Sequence, residues 1–461
     1  MSLIKSISGI RGTIGGRPGD NLTPIDTVKF AAAYGTWLKN EYLDKNLKVV
    51  VGRDARISGS MVQNLVTNTL IGMGIDVIDV GLSTTPTVEV AVTMENANGG
   101  IILTASHNPK QWNALKLLND KGEFLNGEEG EKILGFAENE NFDFAEVDEL
   151  GEITFIDDYI DRHIDHVLQL DLVDVNAVKN CKFKVVVDAV NSTGGIAIPA
   201  LLNRMGVEVV ELYCDPNGHF PHNPEPLKEH LGDIMQLVVS EKADLGIVVD
   251  PDVDRLAIID ERGQMFGEEY TLVACADYVL GKTPGCTVSN LSSSRALRDL
   301  TQAHGQKYEA SAVGEVNVVQ LMKDTNAVIG GEGNGGIIYP ESHYGRDSLV
   351  GVALFLTYLA QKNKSVSELR KEYPEYYMSK NKIELTPGLD VDGILQKVSE
   401  NHVKEQISSI DGIKIDFPEN WVHLRKSNTE PIIRIYTEAK TQEEADELAE
   451  KMIAEIKEIA S

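Results

Sequence analysis

Positive charge is scarce in this chain: 43 Lys and Arg stand against 71 Asp and Glu, a formal net charge of −28. Nucleic acid and anionic membrane both reward clustered Lys and Arg, so neither is expected as a main partner. Cysteine is also scarce. Cys181, Cys214, Cys275 and Cys286 form no CxxC pair, which argues against a zinc ribbon and against a disulfide framework. Long apolar runs are missing. The longest, residues 349–360, is 12 residues and includes Gly351 and Thr357; a bilayer span needs about 20, so a buried helix is expected there. The N-terminal residues hold no apolar stretch ending in a small-residue cleavage site, so no signal peptide is expected. The expectation is a soluble cytoplasmic protein.

What is present is ordinary globular composition, 42% hydrophobic and 25% charged. At roughly 100–200 residues per domain, 461 residues suggest three or four domains. Strand and helix signals alternate along the first third. Residues 47–51 read as a buried strand, 58–73 as a helix capped by Ser58, 76–80 as a strand, 84–96 as a helix with Pro86 in its first turn, and 100–103 as a strand. Such alternation implies βαβ units and a mainly parallel sheet. Residues 120–158 carry 14 acids and 2 bases with scattered apolar positions, and a boundary is placed near 155. The alternation recurs over 183–249, and again from the strand at 287–291 to the apolar helix at 349–360. After residue 375 the pattern changes to strands at 381–385, 412–417, 421–424 and 432–438, closed by a helix over 442–459. The fold class expected is α/β: three topologically similar domains with mixed sheets (1–154, 155–256, 257–372) and a smaller C-terminal α+β domain (373–461), around a central cleft.

Each segment has a suspicious loop. Ligands of open parallel sheets sit beyond the carboxyl ends of strands, where Thr104-Ala105-Ser106-His107-Asn108-Pro109 follows the first segment's strand. Ser106 is placed as a nucleophile or phosphate carrier, though a polar turn stopped by Pro109 uses the same residues. No GxSxG elbow supports a hydrolase, and His107 would project away from Ser106 if the strand continued. In Asp250-Pro251-Asp252-Val253-Asp254-Arg255, three carboxylates at alternate positions repel one another unless a cation neutralises them. With no His or Cys near them the ligands are hard oxygens, suiting Mg²⁺ better than zinc. An EF-hand fails because loop position 6 is Arg255 and a strand follows; a solvated acidic turn is the plain alternative. Gly331 to Gly336 spells GxGxxG, but a strand and Pro340 follow instead of the helix a dinucleotide site requires. Its glycines allow close backbone approach, and Glu332 and Asn334 can bind ligand hydroxyls. Gly281-Lys282-Thr283 is not a P-loop, since Ala276 stands at its first glycine. Arg425-Lys426-Ser427-Asn428-Thr429-Glu430-Pro431, with Arg434, is either a phosphate cradle or a turn between strands.

In this order the four loops resemble those of the α-D-phosphohexomutase superfamily, over essentially the whole chain. Ser8-Gly9-Ile10-Arg11-Gly12 is similar to that family's N-terminal motif. The resemblance implies that Ser106 carries a phosphate and that this phosphate, with Asp250, Asp252 and Asp254, holds Mg²⁺. It implies Lys116 as general acid/base, with Arg11, His107 and Arg255 around the reacting phosphoryl group. Glu332 and Asn334 would hold sugar hydroxyls. Arg425, Ser427, Asn428, Thr429 and Arg434 would grip the non-reacting phosphate of a small phosphosugar. The implied reaction is a mutase cycle through a bisphosphosugar, which also serves as activator, in a monomer or homodimer. Many bacterial members end the sugar loop in Ser-Gly-His, whereas this chain has Asn334-Gly335-Gly336. That form resembles the phosphoglucosamine mutase subgroup most; phosphomannomutase/phosphoglucomutase is the second enzymatic reading, and a non-catalytic sugar-phosphate-binding protein is the alternative of another class.

Overall fold

The computed structural model describes residues 2–6, 9–42, 46–384, 390–426 and 432–460. It divides into two compact units, residues 1–278 with 334–370, and residues 279–333 with 371–461. Among the described residues no helix is long and apolar enough to cross a membrane.

The first unit holds a mixed seven-stranded sheet. Its order is Ile4–Ser6, Gly9–Thr13, Trp112–Leu118, Gly99–Leu103, Lys48–Arg53, Asp76–Leu82 and Ile153–Phe155. Val49, Val50 and Val51 are fully buried because helices cover both faces, as expected of a parallel centre. The helix Pro24–Glu41 starts at a capping box formed by Thr23 and Asp26, with Pro24 in its first turn. Ser58 does stand at the N-cap of Gly59–Gly72 but makes no capping bond; its Oγ accepts from Asn113 Nδ2 at 2.9 Å instead. Two elements of the acidic stretch were not legible in the sequence. Gly127–Asn139 packs on Pro24–Glu41, and Ile153–Phe155 is a three-residue edge strand beside Asp76–Leu82. The strand Trp112–Leu118 was also missed.

A second sheet in this unit runs Leu256–Asp260, Leu245–Val249, Lys184–Asp188, Glu208–Leu212, with only the first pair antiparallel. The apolar run forms the helix Ser348–Lys362, buried from Ser348 to Leu359 and packed on Tyr159–Leu168 and Val175–Cys181. Its burial on all sides explains its lack of a polar face.

In the second unit, Thr287–Asn290 lies between parallel neighbours Tyr308–Ser311 and Ile329–Glu332. A five-stranded antiparallel sheet of this unit has the order Tyr377–Glu384, Ile432–Ala439, Trp421–Lys426, Ile413–Asp416, Gln406–Ser408. Val391–Asn401 and Gln442–Ala460 complete its apolar core, which centres on Val422, Leu424, Ile433 and Ile435.

Candidate active site

Ser106 sits just past the end of Gly99–Leu103, where the chain stops being extended and Ser106 takes a left-handed φ of 47°. A non-glycine residue held there is strained, and such strain gathers at functional sites. The loop is held by one buried side chain. Arg56 Nη2 donates to the carbonyls of Ser106 (2.5 Å) and Asn108 (2.7 Å), its Nη1 to those of Pro109 (2.8 Å) and Trp112 (3.0 Å), and its Nε to Asp54 Oδ2 (2.9 Å). Asp54 Oδ2 also accepts from Thr104 Oγ1 at 2.7 Å, whose oxygen in turn accepts from the Ser106 N–H at 2.9 Å. Because the strand does not continue, His107 does not project away: its Nδ1 lies 3.4 Å from Ser106 Oγ. Burial, and then the charge of Arg255, push His107 down to about 3, so the ring is neutral.

Lys116 is delivered by the strand that sequence reading missed. Trp112–Leu118 runs antiparallel to Gly99–Leu103 with Lys116 opposite Ile102, and antiparallel to Gly9–Thr13 with Ala114 opposite Arg11. Arg11, Ser106, His107 and Lys116 therefore line one recess, of about 70 Å³.

The carboxylates of Asp250, Asp252 and Asp254 converge, each fully buried, with one oxygen of each within 4.8 Å of the others. The segment is a turn rather than an extended stretch, with Val253 at φ 65°. It is pinned by the Ser192 and Thr193 hydroxyls, which donate to Pro251 O at 2.7 and 2.9 Å. Ser106 Oγ donates to Asp250 Oδ2 at 2.7 Å. Asp252 Oδ2 accepts from Lys116 Nζ at 2.8 Å and Thr85 Oγ1 at 2.6 Å, and Asp254 Oδ2 accepts from Arg346 Nη2 at 2.6 Å. Among the described residues, Asp252 Oδ1 and Asp254 Oδ1 have no hydrogen-bond partner. Burial pushes Asp250 well up, and Asp254 and Asp252 add to it. Burial also opposes the charge on Asp252, but Lys116 outweighs it and holds that carboxyl low. Burial likewise opposes the Lys116 charge, and Asp252 and Asp254 overcome it, so the ammonium keeps its proton beyond its ordinary range. Three buried carboxylates with orphaned hard oxygens fit a divalent cation. Arg255 lies at the rim, 3.4 Å from Glu225 and 3.9 Å from Asp254.

Asn334 belongs to the first unit, where its Oδ1 accepts from the Gly336 N–H at 3.2 Å. A strand, Gly336–Ile338, does follow the glycines, against a dinucleotide site. In the second unit, buried Glu332 accepts from Asn290 Nδ2 at 2.8 Å and the Gly314 N–H at 3.2 Å. Arg425 stands directly across from Arg434, and Arg434 across from Lys382, in one row over three strands. Arg425 Nε is 2.8 Å from Asp411 Oδ2. Ser427, Asn428 and Thr429 lie outside the described residues. Sequence reading missed Asp54, Arg56, Thr85 and Arg346. The charged Arg53-Asp54-Ala55-Arg56 at the carboxyl end of a parallel strand was the available signal for the first two; nothing local marked Thr85 or Arg346.

Four models of the phosphoglucomutase/phosphomannomutase family match in order: alpha/beta/alpha domain I over residues 3–144, domain II over 161–263, domain III over 267–377, and the C-terminal domain over 380–455. The chain belongs to the α-D-phosphohexomutase superfamily. The family and the mutase names of its relatives make the chain an isomerase of the phosphohexomutase type. One relative, from Thermococcus kodakarensis and named phosphoglucomutase/phosphomannomutase, is 39% identical over 95% of this chain and 96% of its own length. Another, from Sulfurisphaera tokodaii and named phosphoglucosamine/phosphogalactosamine mutase, is 32% identical over 98% of each chain. The solved structure of a putative phosphomannomutase from Thermus thermophilus aligns with a TM-score of 0.83 at 25% identity, covering 98% of this chain and all of that one. A family protein from Burkholderia thailandensis has a TM-score of 0.86 at 24% identity over 99% and 98% of the two chains, a likeness of fold.

Proposed function

We propose that the chain is a phosphoglucosamine mutase, reversibly converting glucosamine 6-phosphate to glucosamine 1-phosphate in the cytoplasm. The observation carrying the chemistry is the assembly around three buried carboxylates of the Ser106 hydroxyl, bonded to Asp250, and Lys116, bonded to Asp252. Phosphorylated Ser106 would donate its phosphoryl group to the free sugar hydroxyl, and the bisphosphosugar would turn end for end. The other phosphate would then return to Ser106. Lys116, an ammonium at rest, would give its proton to the Ser106 oxygen as that oxygen leaves and take one from the attacking sugar hydroxyl, ending protonated again, and Arg11, Arg255 and His107 orient the phosphoryl oxygens. Asp250, Asp252 and Asp254, with an oxygen of the phosphorylated serine, would hold Mg²⁺, which when bound supplies charge neutralisation on the transferring group.

The non-reacting phosphate is assigned to Arg425 and Arg434, with Ser427, Asn428 and Thr429. Like charges directly opposed on neighbouring strands are destabilising, and the row Arg425, Arg434 and Lys382 is the arrangement a dianion would relieve. Glu332 and Asn334 are assigned to sugar hydroxyls. The choice of glucosamine rests on relatives so named and on the glycine-ended sugar loop. A Cβ on Gly336 would stand 2.3 Å from Arg346 Cδ, so a histidine there would displace the arginine that reaches Asp254. The 39% identical relative's name supports a second reading, phosphoglucomutase/phosphomannomutase. Rates on glucosamine, glucose and mannose phosphates, with a bisphosphosugar activator present, separate the two: preference for mannose 1-phosphate would reject the first.

A further inference from the structure

A second cluster of ligand-type side chains lies in the first unit, outside the set used above. His163 projects from Tyr159–Leu168, His343 from the loop before Ser348–Lys362, and Asp347 caps that helix. The side chains of His163, Asp347 and His343 are 0%, 1% and 10% exposed. Both imidazoles aim Nε2 at the same oxygen: His163 Nε2 is 2.9 Å and His343 Nε2 3.1 Å from Asp347 Oδ2. Asp347 Oδ1 is engaged separately, by the N–H groups of Leu349 and Val350. Of the outer ring nitrogens, that of His163 is hydrogen-bonded, whereas among the described residues His343 Nδ1 has no hydrogen bond. His163 Nδ1 is 2.9 Å from Thr87 Oγ1, and His343 Nδ1 is 3.3 Å from Glu89 Oε2.

Metal-bound histidines commonly have the second ring nitrogen fixed by a hydrogen bond while the first faces the ion, as His163 has here on Thr87. His343 strengthens the point. A neutral imidazole has one N–H, yet carboxylate oxygens face both of its nitrogens, so one of them meets a lone pair unless a cation or a further proton intervenes. Two nitrogens and one oxygen form a borderline donor set that suits zinc, unlike the all-oxygen set of the three aspartates.

We propose that His163, His343 and Asp347 bind one divalent transition-metal ion, zinc by preference, as a second metal site. The ion would tie Tyr159–Leu168 to the N-terminus of Ser348–Lys362. Arg346, next to Asp347, reaches Asp254, and Thr85, on the same first helical turn as Thr87, reaches Asp252. The site would thus brace two residues that position the aspartates.

The test uses the full chain, stripped with chelator and then dialysed against Zn²⁺ or Co²⁺. The Asp252→Asn variant, which weakens the aspartate site, is the reference. It should retain one zinc per chain by elemental mass spectrometry, develop visible Co²⁺ absorption, and gain about 2 °C or more in Tm with Zn²⁺. His163→Asn and His343→Gln should each lose the zinc and the Tm response. Should these two not fold, the zinc count and cobalt spectrum of Asp252→Asn decide alone. No bound zinc and no Tm response in that reference would overturn the proposal in favour of a doubly protonated His343 between two carboxylates. Zinc retained undiminished by folded His343→Gln would overturn it equally. Neither result bears on mutase activity, so the two readings fail separately.

Discussion

Arg56 offers the sharpest test of how the Ser106 loop is held. Its guanidinium is buried, pairs with Asp54, and donates to four loop carbonyls. Arg56→Met removes all five bonds and strands Asp54 in a site whose burial already pushes its pKa up against the opposing effect of Arg56. Breaking a buried pair from one side costs about 3–5 kcal/mol, chiefly through the charge left behind. Arg56→Lys keeps the charge but cannot span the carbonyls with a fixed fork, so it should recover stability more than activity. The companion Asp54→Asn/Arg56→Met removes the uncompensated charge and should be more stable than Arg56→Met alone. The assay is urea unfolding followed by tryptophan fluorescence, with Trp37 and Trp112 as reporters in this unit, together with mutase kinetics. A displaced nucleophile should lower kcat by about 100-fold. An Arg56→Met protein within about 1 kcal/mol of the parent, with full kcat, would refute the reasoning.

Three further outcomes are expected. Gly335 has φ 85°, and a Cβ there would stand 2.2 Å from Leu256 O; Gly335→Ala should cost about 2 kcal/mol or more in urea unfolding and raise the Mg²⁺ concentration that activity needs, because Leu256 begins the strand that leaves the aspartate turn. Burial pushes Lys414 down to about 8 from 10.5, so between those pH values the unfolded chain binds more protons and stability rises with pH. Lys414→Met should therefore flatten that slope and stabilise the second unit at pH 7, by up to about 3 kcal/mol less the lost contact with Trp421; an unchanged slope in denaturant titrations would contradict this. EDTA should abolish mutase activity and Mg²⁺ restore it, with Asp252→Asn needing more Mg²⁺; turnover indifferent to metal would remove the role given to the aspartates.

Much of the fold was legible because buried parallel strands such as Lys48–Arg53, Lys184–Asp188 and Leu245–Val249 are continuous apolar runs, and each opens into a polar loop. Trp112–Leu118 escaped because Asn113 and Lys116 interrupt its apolar pattern, although Lys116 is what the site uses. Ile153–Phe155 escaped because three residues at a sheet edge carry no period. At the site, side chains beside strand ends could be anticipated from local sequence. Arg346 and Thr85 could not, since their links to Asp254 and Asp252 span 92 and 167 residues. The net charge conceals a local exception: Arg11, Lys116, Arg255 and Arg346 place cations around a nucleophile in a chain of formal charge −28.

Everything assigned to the site depends on Ser106 carrying the phosphoryl group. Intact-mass and peptide mass spectrometry of the purified chain, with mutase turnover of Ser106→Ala measured beside it, tests that role most directly. Alanine keeps a Cβ at the same strained φ, so the loop should fold alike. The parent is predicted to be partly phosphorylated, with the modification mapped to Ser106, and to turn over substrate while Ser106→Ala carries no phosphate and does not. Full turnover by Ser106→Ala, or phosphate mapped to another residue, would contradict it.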